Sequence, residues 1–419
     1  MPPVFSLGSE ITTTRTGCSS LGIPHISEVI DISVIDPILT RKMARVNEAI
    51  DEIGMTPFQW KLFFLNGFGY GVDSLLISCQ SIVQSAVTQE FDSPNPRIKG
   101  VALASQVGLL VGAATWGFTA DVIGRKWVLN SSLFISIYSA GAGGNYILDA
   151  TNFLEFLPVS HAWLVSFLAV WWAVGYTITR LLAWAFMATY SCASDVPDGD
   201  CPRAANMDWQ YLHFTCGTLV IVMALLRVTL VRLVQTPKWL ISQNRDVEVV
   251  DVLSTLAQRY DLPYTLTLSE LQELGRVQHT GKSVWSATRL RAHLSGLVST
   301  RRLAYSTVMI IINWLLIGTL ESRGADTGDT STYDAWRDYA IDQISGLAGP
   351  GPAIAGILVE IPGIGRRGTL AIGAAIPTAL QFGYTQIKTP AQNLGLSAAI
   401  TAASDIYYAT GWEALLAFW

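Results

Sequence analysis

The chain is built around a series of apolar runs, most of them about 20 residues long, which are separated by polar and charged segments. The runs lie at about 58–87, 100–120, 127–147, 161–188, 211–234, 304–320, 339–361, 369–386 and 394–419. A helix of about 20 residues crosses a bilayer core of about 30 Å. Only 14% of the residues are charged, against about a quarter in a soluble protein. We therefore predict an all-α polytopic membrane helix bundle rather than a large soluble protein.

The positive charges indicate how this bundle is oriented. Cations precede the first run, follow the runs at 100–120 and 339–361, and fill residues 235–303. Cytoplasmic loops carry an excess of Lys and Arg, so we expect the N-terminus and residues 235–303 to be cytoplasmic. Three cations, Arg97, Lys99 and Lys388, do not fit this orientation.

The same segmentation divides the chain into four parts. They are a cytoplasmic tail at 1–57, an N-terminal helix bundle at 58–234, a central cytoplasmic loop at 235–303 and a truncated C-terminal helix bundle at 304–419. The tail is mixed and polar and is expected to be disordered or loosely helical. In the central loop, Val249, Leu253, Leu256 and Ala257 recur at helical spacing. That pattern predicts an amphipathic helix lying beside the membrane.

Two of the five cysteines lie in one polar loop at 189–210. This loop is acidic, so we expect it to face the outside of the cell. There Cys192 and Cys201 would form a disulfide across a short loop, the alternative being two free thiols. The cysteines show no zinc-binding spacing, and we expect no metal and no cofactor.

A ten-residue pattern occurs twice, as GFTADVIGRK at 117–126 and, with two extra residues, as GILVEIPGIGRR at 356–367. The corresponding residues are Gly117, Asp121, Gly124, Arg125 and Lys126 in the first copy, and Gly356, Glu360, Gly365, Arg366 and Arg367 in the second. The first glycine allows close helix approach. The spacing of Asp121 and Arg125 favours a local ion pair if the helix continues, and Gly124 permits a tight turn. Such internal repeats are typical of transporters made of two related halves.

The repeated pattern resembles the signature loop of the major facilitator superfamily. The segments EIGMTPFQWKLFFLNGFGYGVDSL, GGNYILDATNFLEFLP, AWAFMATYSCAS and TPKWLI resemble a fungal branch related to sugar porters, phosphate permeases and synaptic-vesicle-glycoprotein-like carriers. The resemblance covers about residues 40–415 and implies two six-helix bundles, a central cavity and alternating access. It implies a monomeric secondary transporter of a sugar, phosphate or organic anion, with proton coupling left open. The plasma membrane is the expected location.

The chain departs from this family in its number of spans. Only three strong runs separate the two cytoplasmic segments, where the family has four helices, and residues 127–158 are too few for two full spans. This stretch looks like the start of one family helix joined to the end of the next. The chain also stops near the end of the family's tenth helix, which leaves about nine or ten spans instead of twelve. A non-transporting receptor-like or degenerate membrane protein is therefore the alternative function.

Polar side chains inside the runs are the candidates for a solute or coupling site, because an ionisable group in a membrane usually faces a cavity or a partner. They are Asn66, Asp73, Asn145, Asp149, Arg180, Asp342 and Gln343. Asn66 and Asp73 are seven residues apart and share one helix face. Asp73 matches an acid in the family's first helix; it is either a cavity or proton-coupling residue or a structural acid. Asp342 and Gln343 open the run at 339–361.

The basic residues inside the runs need partners of their own. Arg180 is a departure from the family, and Asp149 is its natural carboxylate partner, while Asn145 could hydrogen-bond across helices. Arg227 is interpreted as an anchor at the membrane interface. We find no nucleophile with its base and no nucleotide-binding glycine loop, so an enzyme is not supported. The basic loops are too sparse to suggest a nucleic-acid partner.

Overall fold

The structure is a computed structural model, and it describes residues 37–91, 108, 111–112, 115–117, 119–120, 123–135, 142–192, 196, 200–230, 233–277, 304–305, 331–348, 351–384, 387 and 389–416. Within these residues every regular element is helical. The first half contains α1 (Pro37–Ile53), α2 (Pro57–Glu90), α3 (Arg125–Ile135), α4 (Ala142–Phe156), α5 (Trp163–Phe167), α6 (Val170–Tyr190) and α7 (Asp208–Leu230). The central segment contains α8 (Pro237–Ser242), α9 (Asp246–Arg259) and α10 (Leu268–Glu273). The second half contains α11 (Thr332–Ala348), α12 (Gly351–Glu360), α13 (Gly365–Tyr384) and α14 (Pro390–Leu416).

The long helix α2 is the helix around which the first half packs. It begins at a capping box, in which the Phe58 N–H donates to Thr56 Oγ1 at 3.2 Å and the Thr56 N–H donates to Gln59 Oε1 at 3.0 Å. This arrangement satisfies two backbone donors that would otherwise be unpaired at the helix start. Helices α4, α6 and α7 all pack directly against α2. The residues of α2 therefore face three neighbours along most of its 34-residue length.

The pair α3 and α4 explains the missing span. Arg125, at the start of α3, forms a salt bridge with Glu155 near the end of α4, and the two helices pack together. The two helices are therefore antiparallel, and the start of α3 and the end of α4 lie at the same end of the bundle. The described parts of these helices have 11 and 15 residues and are about 16 and 22 Å long, which is shorter than a bilayer core. The interpretation of 127–147 as one span is wrong, because two short helices occupy this stretch.

Helices α5 and α6 run parallel to α2, and α7 runs antiparallel to it. The Thr179 hydroxyl on α6 donates to the Leu75 carbonyl at 3.3 Å, while a Cβ built at Gly175 would overlap the Gly71 carbonyl oxygen. The opposite surface of α7 exposes large apolar side chains, including Phe214, Val222 and Leu225. A contiguous exposed apolar surface of this kind fits contact with lipid.

The central segment forms a separate small bundle with α1. Val46, Ile50 and Ile53 of α1 pack in one apolar cluster with α8, α9 and α10, and Lys42 Nζ lies 2.6 Å from Asp246 Oδ2. Residues 37–53 of the tail are therefore an ordered amphipathic helix, and residues 1–36 lie outside the described part. Helix α9 forms where predicted, but its apolar face is buried against protein (Val249, Leu253, Leu256 and Ala257) rather than lying open to a membrane.

The second half packs against α5 and α6 of the first. Helix α11 contacts α6, α12 contacts α5, and α14 contacts α11, α12 and α13. Helix α11 begins at Thr332, so Asp342 and Gln343 lie inside this helix rather than at the start of a span. The seam between the halves runs from Trp184 and Tyr333, whose ring centroids are 5.7 Å apart, to Trp163 and Gly356 at its other end.

Three segments of the described residues are long and apolar enough to cross a membrane: Pro57–Gln84, Val159–Tyr190 and Asp208–Thr229. The total number of spans stays a prediction. At the end of the bundle opposite α1, Cys192 and Cys201 are joined by a disulfide, with Cα atoms 6.3 Å apart. We call the two ends of the bundle the α1 end and the disulfide end.

The close contact between α2 and α6 gives the first prediction. Replacing Gly175 by Ala places a methyl group on the backbone of Gly71 and should lower the stability of the folded protein by about 1–3 kcal/mol. The matched control is Gly217→Ala on α7, where nothing lies within 4 Å of an added Cβ. Thermal unfolding in detergent, followed by size-exclusion chromatography, measures both variants. Equal stability of the two variants would show that the contact is unimportant.

Candidate functional site

A buried polar network joins α2 to α4 near the middle of the first half. Asn145 Nδ2 donates to Asp73 Oδ1 at 3.0 Å, and Asn152 Nδ2 donates to Asn66 Oδ1 at 3.2 Å. All four residues are at most 1% exposed. The heptad spacing on α2 places Asn66 and Asp73 on the face that meets α4, and the expected cross-helix hydrogen bond of Asn145 is present.

A buried salt bridge between Asp149 on α4 and Arg227 on α7 lies beside this network, and both residues are 0% exposed. Gly69 on α2 makes room for the pair, because a Cβ there would overlap Asp149 Oδ2 and would lie 3.4 Å from Arg227 Nη1. Two sequence interpretations are therefore wrong. Arg227 is not an interfacial anchor, and Asp149 is paired with Arg227 instead of Arg180, because α7 rather than α6 places a cation opposite this carboxylate.

The network contains more polar atoms than the hydrogen bonds seen among its described residues can satisfy. Asp149 Oδ2, Asn66 Nδ2, and Arg227 Nε and Nη1 are buried and have no hydrogen-bond partner within the described part of the chain. The single guanidinium of Arg227 serves two carboxylates, because Asp73 also interacts electrostatically with it. Unpaired donors and acceptors in a buried site are costly. They are the groups that water or a polar solute would satisfy.

A second polar cluster crosses the seam between the halves. Arg180 Nη1 on α6 lies 3.0 Å from Asp342 Oδ2 on α11, and Asp342 Oδ1 accepts from the Thr401 hydroxyl on α14 at 3.0 Å. The Arg180 guanidinium lies over the Tyr339 ring, 3.8 Å from its centroid. Next to Asp342, the Gln343 carbonyl accepts from the Thr177 hydroxyl at 3.5 Å. The true partner of Arg180 is thus in the other half of the chain.

The first copy of the repeated pattern forms a charged turn at the α1 end. Gly124 has a φ of +100°, and a Cβ there would lie 2.6 Å from Gln235 Nε2. The Lys126 N–H donates to Gln235 Oε1 at 3.4 Å. Arg125 pairs with Glu155, while Asp121 and its expected ion pair lie outside the described residues. Gly117 is helical, but a Cβ there would meet no described atom within 4 Å.

Lys238 on α8 belongs to the same charged turn. Burial lowers the pKa of Lys238, and the nearby carboxylate of Glu155 partly offsets this effect. The motif therefore connects the start of α3, the end of α4 and the central segment at one place. Lys238 was not among the predicted site residues, because its sequence neighbourhood gives no sign that it faces Glu155.

The second copy forms a similar turn with fewer contacts. A Cβ at Gly356 would lie 3.2 Å from the Trp163 ring on α5, so this glycine does allow a close approach. Gly365 has a φ of +54° and begins α13. Glu360 and Arg367 are exposed, and the side chain of Arg366 lies outside the described residues. The described part of the chain thus has a counterpart of the first turn without a buried ion pair.

Comparison with known proteins identifies the family. The chain is 32% identical to the MFS siderochrome iron transporter 1 of Ceriporiopsis subvermispora over 425 residues, covering 91% of this chain and 80% of that protein. This chain belongs to the major facilitator superfamily. A major facilitator-type transporter of Emericella nidulans, hxnZ, is 33% identical and matches over 85% of this chain and 71% of its own length. No protein-family profile matches the chain.

Solved structures give the same fold for this major facilitator chain. The xylose transporter XylE of E. coli, in a partially occluded inward-open conformation, superimposes with a TM-score of 0.61 at 17% identity and covers 86% of this chain and 85% of its own. The chain is a multi-pass membrane transporter and not an enzyme, since its relatives are transporters. At this level of identity the XylE likeness establishes the fold alone.

The buried salt bridge gives the second prediction. Asp149→Asn leaves the Arg227 charge buried without a full counterion and should destabilise the protein by about 3–5 kcal/mol. The double variant Asp149→Asn with Arg227→Gln removes both charges and should recover much of this loss. Unfolding temperature in detergent measures the single and double variants. A double variant that is less stable than Asp149→Asn would contradict this account of the pair.

Proposed function

We propose that this transporter moves a small hydroxylated solute by alternating access, and that the buried network of Asp73, Asn145, Asp149 and Arg227 is its solute and coupling site. The network carries the proposal because, among the described residues, it holds buried donors and acceptors without partners inside a membrane bundle. Buried ionisable groups in such bundles typically belong to substrate or ion pathways.

The charge balance of the network favours a neutral solute over an anion. Arg227 is already paired with Asp149 and interacts with Asp73, so two carboxylates face one guanidinium. Whether Asp73 is ionised or protonated, the site holds no excess positive charge for a phosphate or organic anion, whereas a sugar-like molecule supplies hydroxyl groups that both donate and accept. The structurally similar protein XylE is described as a proton:xylose symporter, which is consistent with this choice.

Proton coupling is assigned to Asp73. Its carboxylate accepts a hydrogen bond from the neutral amide of Asn145, whereas Asp149 is held by a direct salt bridge. Protonation of Asp73 therefore removes less electrostatic stabilisation than protonation of Asp149 would. The two halves would alternate around this site, with the charged turn around Arg125 and Glu155 acting on the rate of the conformational change rather than on solute affinity.

The third prediction tests transport directly. A panel of labelled sugars, phosphate and organic acids is offered to the purified protein in liposomes, and we expect uptake of a sugar. A pH gradient that is acidic outside, and so drives protons inward, should increase this uptake. Asp73→Asn should abolish the effect of the gradient and retain exchange of labelled for unlabelled solute. The control is Asp251→Asn, an exposed carboxylate on α9. Uptake no greater than that of empty liposomes for every solute would favour the non-transporting alternative.

The orientation is a further element of the proposal. We propose that the protein is a monomer in the plasma membrane, with the α1 end cytoplasmic and the disulfide end outside. The α1 end carries the Arg125 turn and the central segment, whose cations belong on the cytoplasmic side. The disulfide between Cys192 and Cys201 fits an oxidising exterior.

The fourth prediction tests this orientation. In a Cys18→Ser background, Gln272→Cys on exposed α10 should be protected from an impermeant thiol reagent in sealed cells, and Ala204→Cys should react. Both positions are exposed in the fold, while the free thiols of Cys79 and Cys216 are buried. The reverse pattern of labelling would show that the orientation is inverted.

A further inference from the structure

Asp405 on α14 is a half-buried carboxylate that the network described above does not use. Its Oδ2 atom is buried and has no hydrogen-bond partner among the residues that the structure describes. Two glycines give it space, because a Cβ at Gly346 would lie 2.9 Å from Asp405 Oδ2 and a Cβ at Gly351 would lie 2.7 Å from Asp405 Cβ. The small residues of α11 and α12 thus form a cradle around this carboxyl group.

Among the described residues, the surroundings of Asp405 supply no counterion of its own. On α11 the facing groups are Gln343 and Asp342, and Asp342 is already paired with Arg180 and Thr401. Helix α12 faces it with Gly351, and its one acid, Glu360, lies at the far end and is exposed.

The remaining neighbours of α14 are equally poor in charge near Asp405. The sequence of α5 has no titratable residue. On α13, Gly373 packs against Tyr407, and the cations of this helix are at its beginning, around Arg367. Within the part of the chain that the structure describes, Asp405 therefore has one close charged neighbour, Asp342, and its charge has the same sign.

We propose that Asp405 is a proton-binding site at the seam between the two halves, additional to Asp73, and that it carries its proton while the seam is closed. An ionised carboxylate with one oxygen buried away from donors and cations is costly, and the like charge of Asp342 nearby adds to that cost, whereas the neutral carboxyl group avoids both effects. On opening of the seam, the O–H bond of Asp405 breaks, the proton passes to water, and the carboxylate becomes hydrated. This inference rests on the proposed alternating access for its role in transport.

The test uses dicyclohexylcarbodiimide, an apolar reagent that adds to protonated carboxyl groups. The acid proton moves to a carbodiimide nitrogen, the carboxyl oxygen bonds to the central carbon, and rearrangement gives a stable N-acylurea. Peptide mapping by mass spectrometry of the purified full chain should find this adduct on Asp405, and should find none on Asp342 or Asp149, which are ion-paired. Raising the pH should reduce labelling, and Asp405→Asn should remove the adduct from this peptide.

A second variant shows that the reagent reaches the seam. Arg180→Gln removes the partner of Asp342, and Asp342 should then become labelled as well. Absence of the adduct on Asp405 in the unmodified chain, or equal labelling of Asp342 there, overturns the proposal. Labelling needs no solute, so its result is independent of the uptake assay. If uptake fails, an adduct on Asp405 still supports the proton-binding site. If the adduct is absent, the proposed transport is not affected.

Discussion

The salt bridge between Asp149 and Arg227 determines how the first half of this protein packs. Each charge would be very costly if buried alone, so α4 and α7 must approach until the two side chains meet. Gly69 is the residue on α2 that permits this approach, because any side chain there would occupy the position of the carboxylate. Three helices are thus held at one point by one interaction.

The contact between Asp149 and Arg227 also sets the positions of the polar side chains around it. Once α4 is held against α2, the seven-residue spacing of Asn66 and Asp73 brings them opposite Asn152 and Asn145. Among the described residues, polar atoms such as Asp149 Oδ2 and Asn66 Nδ2 are left without a partner near this point. A structural core would have apolar residues at these positions at a lower cost. We propose that a polar ligand satisfies these groups.

The sequence predicted the helical class, the amphipathic pattern of α9, the cysteine pair and the polar face of α2, because each depends on residues close together in the chain. It assigned Arg180 and Asp149 to each other because both lie within apolar runs and have opposite charge. Which helix faces which is a tertiary property, and no local spacing distinguishes Arg227 from Arg180. The family resemblance pointed to two joined partial helices at 127–158, but their antiparallel pairing as α3 and α4 depends on the contact of Arg125 with Glu155.

The two ion pairs inside the bundle have different surroundings, and this difference suits different tasks. Asp149 and Arg227 are fully buried within one half, whereas Arg180 and Asp342 join the two halves and retain 16% and 17% side-chain exposure. The seam is in contact from Trp184 and Tyr333 at one end to Trp163 and Gly356 at the other, so opening to either side must first separate the contacts at the end that opens. Arg180 and Asp342 lie between these ends, where a rocking motion displaces residues least. In the alternating access proposed above, this pair would hold the halves together as a pivot while the buried pair keeps its own half rigid.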